Sequence, residues 1–288
     1  KLSEIIYWFK EPQIFWLRKN NLNLSKRFIK NQSEEDLNGY QKTKLLNSII
    51  SNIKFDNDKL LESLSSINIK KHLIHNGIFA PGNNLFLKEN ELKNIVDSLI
   101  DKINSIGKIN KINYKEDFNK EAYFISNNKI VELINSNLNV KKLSESWIRL
   151  LFASSIDNSI KGTIIIYRLN NQYKEKEIIS PGSLESKNLL SNYINIYKNS
   201  VNKCWPIPPE SSFNYIEAKF SFKDPETAFI KSWLGVEGFK DGERKKPEMI
   251  FCFGEEAPPE FFVQSKSFID LSSEIYLPLI TRMKKQIK

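Results

Sequence analysis

Cysteine is scarce in this chain: Cys204 and Cys252 are the only two in 288 residues. A secreted scaffold stapled by disulfides needs more, so the pair fits a reducing cytoplasm and two small buried side chains. Histidine is equally rare, with only His72 and His75, three apart on a predicted helix. They share a face, but a structural zinc needs about four ligands and no cysteine lies near them in the sequence. A Ser–His–Asp or Cys–His system centred elsewhere is excluded. No stretch approaches ~20 apolar residues, so no membrane-spanning helix is expected. The string Gly-x-x-x-x-Gly-Lys-Ser/Thr is missing, which excludes a P-loop and assigns any ATP use to other chains. There are no repeats, no Gly/Ser linker and no signal-peptide pattern. The first residue is Lys1, and the chain reads as a piece of a longer protein.

What is present is basic. Forty-three Lys and Arg against 34 Asp and Glu give a formal charge of +9. That favours polyanionic partners, although a chain rich in Lys, Asn and Ile also carries Lys through base composition. Hydrophobic residues at 40% and charged residues at 27% describe a globular chain.

The first hundred residues read as helix. Pro12 ends one short helix and opens the next. Ser33 and Asp36 resemble a capping box opening a helix to about Asn52. Asn57 or Asp58 opens another through Leu64, and Lys70 to Asn76 ends at Gly77. A turn-rich loop over 77–84 precedes a long amphipathic helix, about Leu85 to Ser105.

Then the pattern changes. Lys108–Tyr114, Glu121–Ser126 and Lys129–Ile134 predict strands, the last two joined at Asn127-Asn128. Leu143–Ser155 predicts a helix, and Gly162–Leu169 a strand with the β-branched run Thr163-Ile164-Ile165-Ile166. Asn170-Asn171 turns it into Tyr173–Ile179, and Ser183 starts a helix to about Lys203. This order implies an α/β fold with a mixed sheet and helices on its faces. Trp205–Pro209 reads as extended. A helix follows over about Asp224–Trp233, capped by Asp224 with Pro225 at its first position. Residues 235–247 read as a flexible polar stretch and Met249–Phe253 as a strand. Pro258 and Pro259 open a final helix toward Lys288, interrupted or bent at Pro278.

The opening string carries the most information. Tyr7-Trp8-Phe9 and Phe15-Trp16-Leu17 flank Pro12. Read by itself it is a buried helix–turn–helix corner. As a string, Trp8, Phe9, Pro12, Phe15, Trp16 and Leu17 resemble the start of the C-terminal domain of the exodeoxyribonuclease V gamma subunit, RecC. Further landmarks recur in the family's order. They are Gly77-Ile78-Phe79-Ala80-Pro81-Gly82 (with Phe79-Ala80 in place of Leu-Pro), the helix around Trp147–Leu151, and Leu189–Tyr197 leading to Trp205–Ser211. Phe261-Phe262 with Leu277-Pro278-Leu279 closes the series, so the resemblance extends over the whole chain.

The resemblance implies a PD-(D/E)XK nuclease-like fold that has lost its activity. Residues 1–288 would be one C-terminal domain, mainly helical over 1–105 and sheet with helices over 106–288. It would meet the DNA end, separate strands, and dock the beta (RecB-like) and alpha (RecD-like) subunits. ATP and Mg would be used by those partners, with no cofactor and no metal in this fragment. The residues themselves agree. A PD-(D/E)XK site needs an Asp on one strand and Asp/Glu-x-Lys on the next, to hold Mg²⁺ and position the water. Glu132 stands at the acidic position, Ile134 occupies the Lys position, and Ala122–Ser126 has no carboxylate, with Glu121 at that strand's edge. Lys115-Glu116-Asp117 and Lys174-Glu175-Lys176-Glu177 contain similar strings, the latter reading as a solvated edge strand. Two alternatives stand beside this reading: an active Mg-dependent DNA nuclease with displaced acids, and a pure subunit-interaction scaffold.

Candidate DNA contacts are basic residues near aromatics, because cations meet phosphates and rings stack on bases. Lys19, Lys26, Arg27 and Lys30 follow the opening. Phe79 lies in the turn-rich loop, and Lys240, Arg244, Lys245 and Lys246 follow Phe239. The hairpin tips Asn127-Asn128 and Asn170-Asn171 are candidate strand-separating pins. Each has a plainer reading, as a solvated face, a packed turn or a simple hairpin. Trp8, Phe9, Phe15 and Trp16 are the candidates for a partner interface, alongside the last helix.

Overall fold

The computed structural model describes residues 1–22, 43, 46–47, 83–116, 119–236, 238 and 240–284. The helices predicted between Ser33 and Asn76, both histidines and the loop around Phe79 lie outside the described residues. The chain divides into two compact units, one from Lys1–Phe28, Asn139–Asn158 and Ile178–Ile287, the other from Ile29–Leu138 and Ser159–Glu177.

The second unit holds a long helix and a sheet. Helix α3 (Asn83–Ile106) leads into β1 (Asn110–Glu116), β2 (Asn119–Ser126) and β3 (Lys129–Ile134). These three form an antiparallel meander. Asn127 and Asn128 take φ of 49° and 61°, the left-handed pair that a two-residue hairpin turn needs. β4 (Gly162–Leu169) returns parallel to β3, and β5 (Gln172–Ile179) completes a five-stranded sheet in the order β1-β2-β3-β4-β5. β5 is therefore an edge strand, as its alternating charges predict. Glu177 bonds Lys129 at 2.8 Å, and Glu175 meets Lys102 of α3 at 3.7 Å.

One face of this sheet packs on α3. Leu92, Ile95, Val96, Leu99, Ile103 and Ile106 make a stripe at helical spacing, buried with Val131, Ile166 and Tyr173. Beside them Asn135 organises a polar cluster. Its side-chain oxygen accepts from the Tyr173 hydroxyl at 2.8 Å, and its carbonyl accepts from Arg168 Nε at 3.2 Å. The guanidinium also reaches the Asn170 carbonyl and the Thr43 hydroxyl, both at 3.0 Å. Buried Arg168 is thus held by neutral acceptors at the end of β4.

The first unit is helical. α1 (Leu2–Lys10) and α2 (Pro12–Lys19) make the predicted corner at Pro12. α4 (Val140–Ile156) is the chain's crossover from β3 to β4 and is buried over much of its circumference, so it forms the centre of this unit. Asn139 caps it, accepting from the Lys142 N–H at 3.1 Å. It packs against α1, α5 (Ser183–Ser200) and α6 (Pro209–Phe220). Trp147, fully buried, donates Nε1–H to the Tyr193 hydroxyl at 3.2 Å, which donates on to the Ile275 carbonyl at 3.2 Å. α7 (Pro225–Leu234) packs on α6, as does α10 (Lys266–Arg282). Aromatic rings fill the space, including Phe9 on Tyr193 at 5.0 Å, Phe213 on Tyr276 at 5.8 Å and Trp233 on Phe262 at 4.8 Å.

The structure corrects four expectations here. Pro209–Phe220, which carries no clear pattern in the sequence, is helix α6. Met249–Phe253 is not a strand but the end of helix α8 (Pro247–Phe253), opened by Pro247 and closed by Gly254 at φ 91°. The stretch after α7 is not irregular: β6 (Gly235–Val236) and β7 (Lys240–Asp241) pair as a ribbon, followed by a 3₁₀ turn, Glu243–Lys245. The final helix is two, α9 (Glu260–Val263) and α10, and α10 runs through Pro278 without interruption. The cysteines also differ from expectation, being half-buried rather than fully buried.

Candidate nucleic-acid interface

The strand positions of a PD-(D/E)XK site can be read off the register. Glu132 on β3 pairs with Ile165 on β4, and Ile134 pairs with Tyr167. The Glu132 side chain is half-buried. On β2 the nearest acidic residue is Glu121. The strand starts earlier than predicted, so Glu121 lies inside it, paired with Tyr114 of β1, rather than at its edge. Among the described residues no three His, Cys, Asp or Glu side chains gather closely enough to share a metal.

The basic candidates are dispersed over several elements. Lys19, exposed on the last turn of α2, sets Nζ 5.5 Å from the Phe15 ring centre. Arg18 lies over Tyr7 at 5.1 Å and Lys203 over Trp205 at 5.3 Å. Lys240 sits in β7, with Arg244 and Lys245 on the 3₁₀ turn and Lys246 just beyond. Lys245 is exposed and bonds Asp241 at 2.7 Å. Lys246 is turned to structure instead: it meets Glu210 at 3.1 Å and buried Glu243 at 3.4 Å. Burial lowers its pKa, but the two carboxylates outweigh that and hold it above its usual value. Lys26, Arg27, Phe79 and Phe239 lie outside the described residues.

Glu243 explains why this stretch is ordered. Its carboxylate accepts from the Ser211 N–H and the Ser211 hydroxyl, both at 2.8 Å, and from the Glu210 N–H at 3.2 Å. It therefore caps α6 from thirty-odd residues away, where Pro208 offers no side-chain acceptor.

The opening aromatics have a structural role. Trp8, Phe9 and Phe15 are 1%, 2% and 3% exposed, each within its own unit's core, and Trp16 is half-buried. Ion pairs Lys10–Glu145 at 2.5 Å and Lys141–Glu11 at 2.6 Å fasten the corner to α4. The three buried rings pack within the unit, against Tyr193 and Tyr197 of α5 and Tyr276 of α10.

A more prominent aromatic went unpredicted. Phe222, at the turn between α6 and α7, is 99% exposed and holds φ of 56°. The Lys223 N–H reaches the Ala218 carbonyl at 2.9 Å and the Phe222 N–H reaches Lys219 at 3.3 Å. That is a Schellman closure with Phe222 in the left-handed position that glycine normally fills. Lys219 and Lys223, both exposed, flank it. The signal available in the sequence was Lys-Phe-Ser-Phe-Lys just ahead of Asp224-Pro225.

The sequence model of the RecC C-terminal domain matches residues 1–220. The chain belongs to this family. RecC is a subunit of exodeoxyribonuclease V, a hydrolase complex of DNA repair and recombination, and the family connects this domain to DNA and to that complex. The match ends at Phe220, short of the whole-chain resemblance expected. The landmark residues Phe261-Phe262 and Leu277-Pro278-Leu279, and Phe222 itself, lie beyond it. Comparison with curated proteins returns no match. No helix among the described residues is long and apolar enough to cross a membrane.

Proposed function

We propose that this RecC C-terminal domain is a non-catalytic, nuclease-like module that binds DNA ends, guides the separated strands and docks the beta and alpha subunits of the helicase–nuclease. The observation that carries the reading is the β3 string Glu132-Leu133-Ile134, with Ile165 and Tyr167 opposite its outer members. A lone glutamate beside an isoleucine supplies neither the second metal-holding carboxylate nor the lysine that metal-assisted phosphodiester hydrolysis uses. The αβββαβ order of α3, β1–β3, α4 and β4 supports a nuclease-like sheet. The charge of +9 and the exposed Lys19, Lys219, Lys223 and Lys245 support contact with phosphates. Exposed Phe222 supports stacking on an unpaired base.

The test is incubation with end-labelled linear duplex DNA and Mg²⁺ or Mn²⁺, read on a denaturing gel against a chelator control. The reading expects full-length DNA in every lane. Metal-dependent shortening that Glu132→Gln abolishes would overturn it in favour of an active nuclease.

A further inference from the structure

The stretch from Pro247 to Ser265 runs against the charge of the chain. It carries four glutamates, Glu248, Glu255, Glu256 and Glu260, and no Lys or Arg, in a chain with 43 basic residues. It also carries four phenylalanines, Phe251, Phe253, Phe261 and Phe262. Helix α8 ends at Phe253, a loop follows from Gly254, and α9 begins at Glu260. All of it belongs to the first unit.

Packing decides which ring is left outside. Consecutive helical residues point about 100° apart, so Phe261 and Phe262 cannot both face the core. Phe262 takes the core: it is fully buried, its ring centre 4.8 Å from Trp233 and 5.2 Å from Phe253. Phe261 is turned outward, 57% exposed, with its ring 6.5 Å from half-buried Phe253. The backbone between these two rings is fixed. Buried Trp233 donates Nε1–H to the Ala257 carbonyl at 2.9 Å, the Gly254 N–H closes on the Ile250 carbonyl at 2.9 Å, and the Phe261 N–H reaches the Pro258 carbonyl at 3.1 Å. Pro258 and Pro259 stiffen it further. Glu255, Glu256 and Glu260 are exposed here, and among the described residues none of the three forms an ion pair. An outward aromatic ring and three uncompensated carboxylates are thus displayed on a preorganised loop, which lowers the entropy cost of binding. Carboxylates repel a phosphate backbone, so their sign argues against DNA at this face and for a cationic partner.

We propose that Phe253 and Phe261, with the carboxylates of Glu255, Glu256 and Glu260, form a docking face for a basic segment of a protein partner. Its Arg or Lys side chains meet the carboxylates and the face of the Phe261 ring, and its apolar side chains cover Phe253 and Phe261. The face lies beyond the family match, which ends at Phe220. The proposal rests on the docking part of the function above only for which protein supplies the segment.

The experiment titrates the full chain into two labelled synthetic peptides, one of alternating Arg and Leu and one of alternating Glu and Leu, and reads fluorescence anisotropy. The Arg/Leu peptide should bind, less tightly as salt rises, and the Glu/Leu peptide should not. Exposed charge contacts contribute a few-fold each, so the triple variant Glu255→Lys, Glu256→Lys, Glu260→Lys should bind the Arg/Leu peptide roughly tenfold more weakly or worse. Phe261→Ser should weaken it about threefold through the lost ring face. The triple variant changes only exposed side chains, so it decides the matter even if Phe261→Ser does not fold. Forked DNA should bind the triple variant at least as tightly as wild type. Equal peptide binding by wild type and the triple variant, or weaker DNA binding by that variant, would overturn the proposal. So would a wild-type dimer in sedimentation that the triple variant dissolves, since the face would then belong to a second copy. Titration against purified beta and alpha subunits separates the two readings. Peptide binding without subunit binding keeps this face and removes the subunits as its partners; subunit binding that the triple variant retains in full keeps the docking function and removes this face.

Discussion

Replacing Glu243 with alanine removes the remote cap of α6. The wild-type side chain is 2% exposed and satisfies two backbone N–H groups and one buried hydroxyl at 2.8–3.2 Å. It also faces Lys246, which keeps Glu210 as a second partner. Each buried donor left unsatisfied costs about 1–3 kcal/mol, so the whole change should cost about 3–5 kcal/mol, the range for removing one member of a buried pair. Urea denaturation should show the midpoint falling by ~1 M or more with the slope unchanged. Glu243→Gln keeps one acceptor oxygen and should lose roughly half as much. The pH dependence has a definite sign. Burial pushes the Glu243 carboxyl above its ordinary 4.5, opposed by Lys246 and the Ser211 donors. A folded pKa above the unfolded one means a contribution fully present below about 4.5 and lost as pH rises through the folded value. Wild type should lose stability across that window, and Glu243→Gln should flatten the loss. A Glu243→Ala unfolding free energy within ~0.5 kcal/mol of wild type would refute the capping argument.

Phe222→Gly should relieve a left-handed strain and raise stability by about 1 kcal/mol, while weakening single-stranded DNA binding by about 1–3 kcal/mol through loss of a stacking face. Urea melts and fluorescence anisotropy on the same sample separate the two effects, and a gain in both would sink the stacking role. Trp147→Phe should cost about 1 kcal/mol by removing the donor to Tyr193, against about 3–5 kcal/mol for Trp147→Ala, which also opens a cavity. Asn128→Gly should leave thermal stability unchanged or slightly higher, whereas Asn128→Val should lose about 1–2 kcal/mol, because a β-branched residue resists φ near 61°.

Local signals proved readable where they were self-contained. The α3 stripe, the Asn-Asn turns, the β-branched run of β4 and the Asp224-Pro225 start each need only a few neighbouring residues, and each element formed within a few residues of its expected bounds. Met249-Ile-Phe-Cys-Phe reads as a strand from sequence because a short apolar run has no period that separates strand from helix. Its flanking Pro247 and Gly254 decided the matter. α6 was hidden behind a proline-rich string and is capped by a residue that sequence proximity does not connect to it. The same long-range bond orders the stretch read as flexible. At the site, the missing lysine at Ile134 was visible directly, since strand parity alone puts Glu132 and Ile134 on one face. The fate of the opening aromatics was open in the sequence, because burial and docking use the same rings. The prominence of Phe222 depends on a backbone conformation that its residue type disfavours, so propensity argues against the geometry that exposes it.

The central claim is that this domain holds DNA through its phosphates without cutting it. The measurement that tests it most directly is fluorescence anisotropy of the full chain with labelled forked DNA, titrated in salt under chelating conditions. The account predicts binding that weakens steeply between 50 and 200 mM salt, with a log–log slope reporting several released counterions, on the order of three or more. No binding at moderate salt, or binding indifferent to salt, would contradict it and leave a scaffold that never holds DNA.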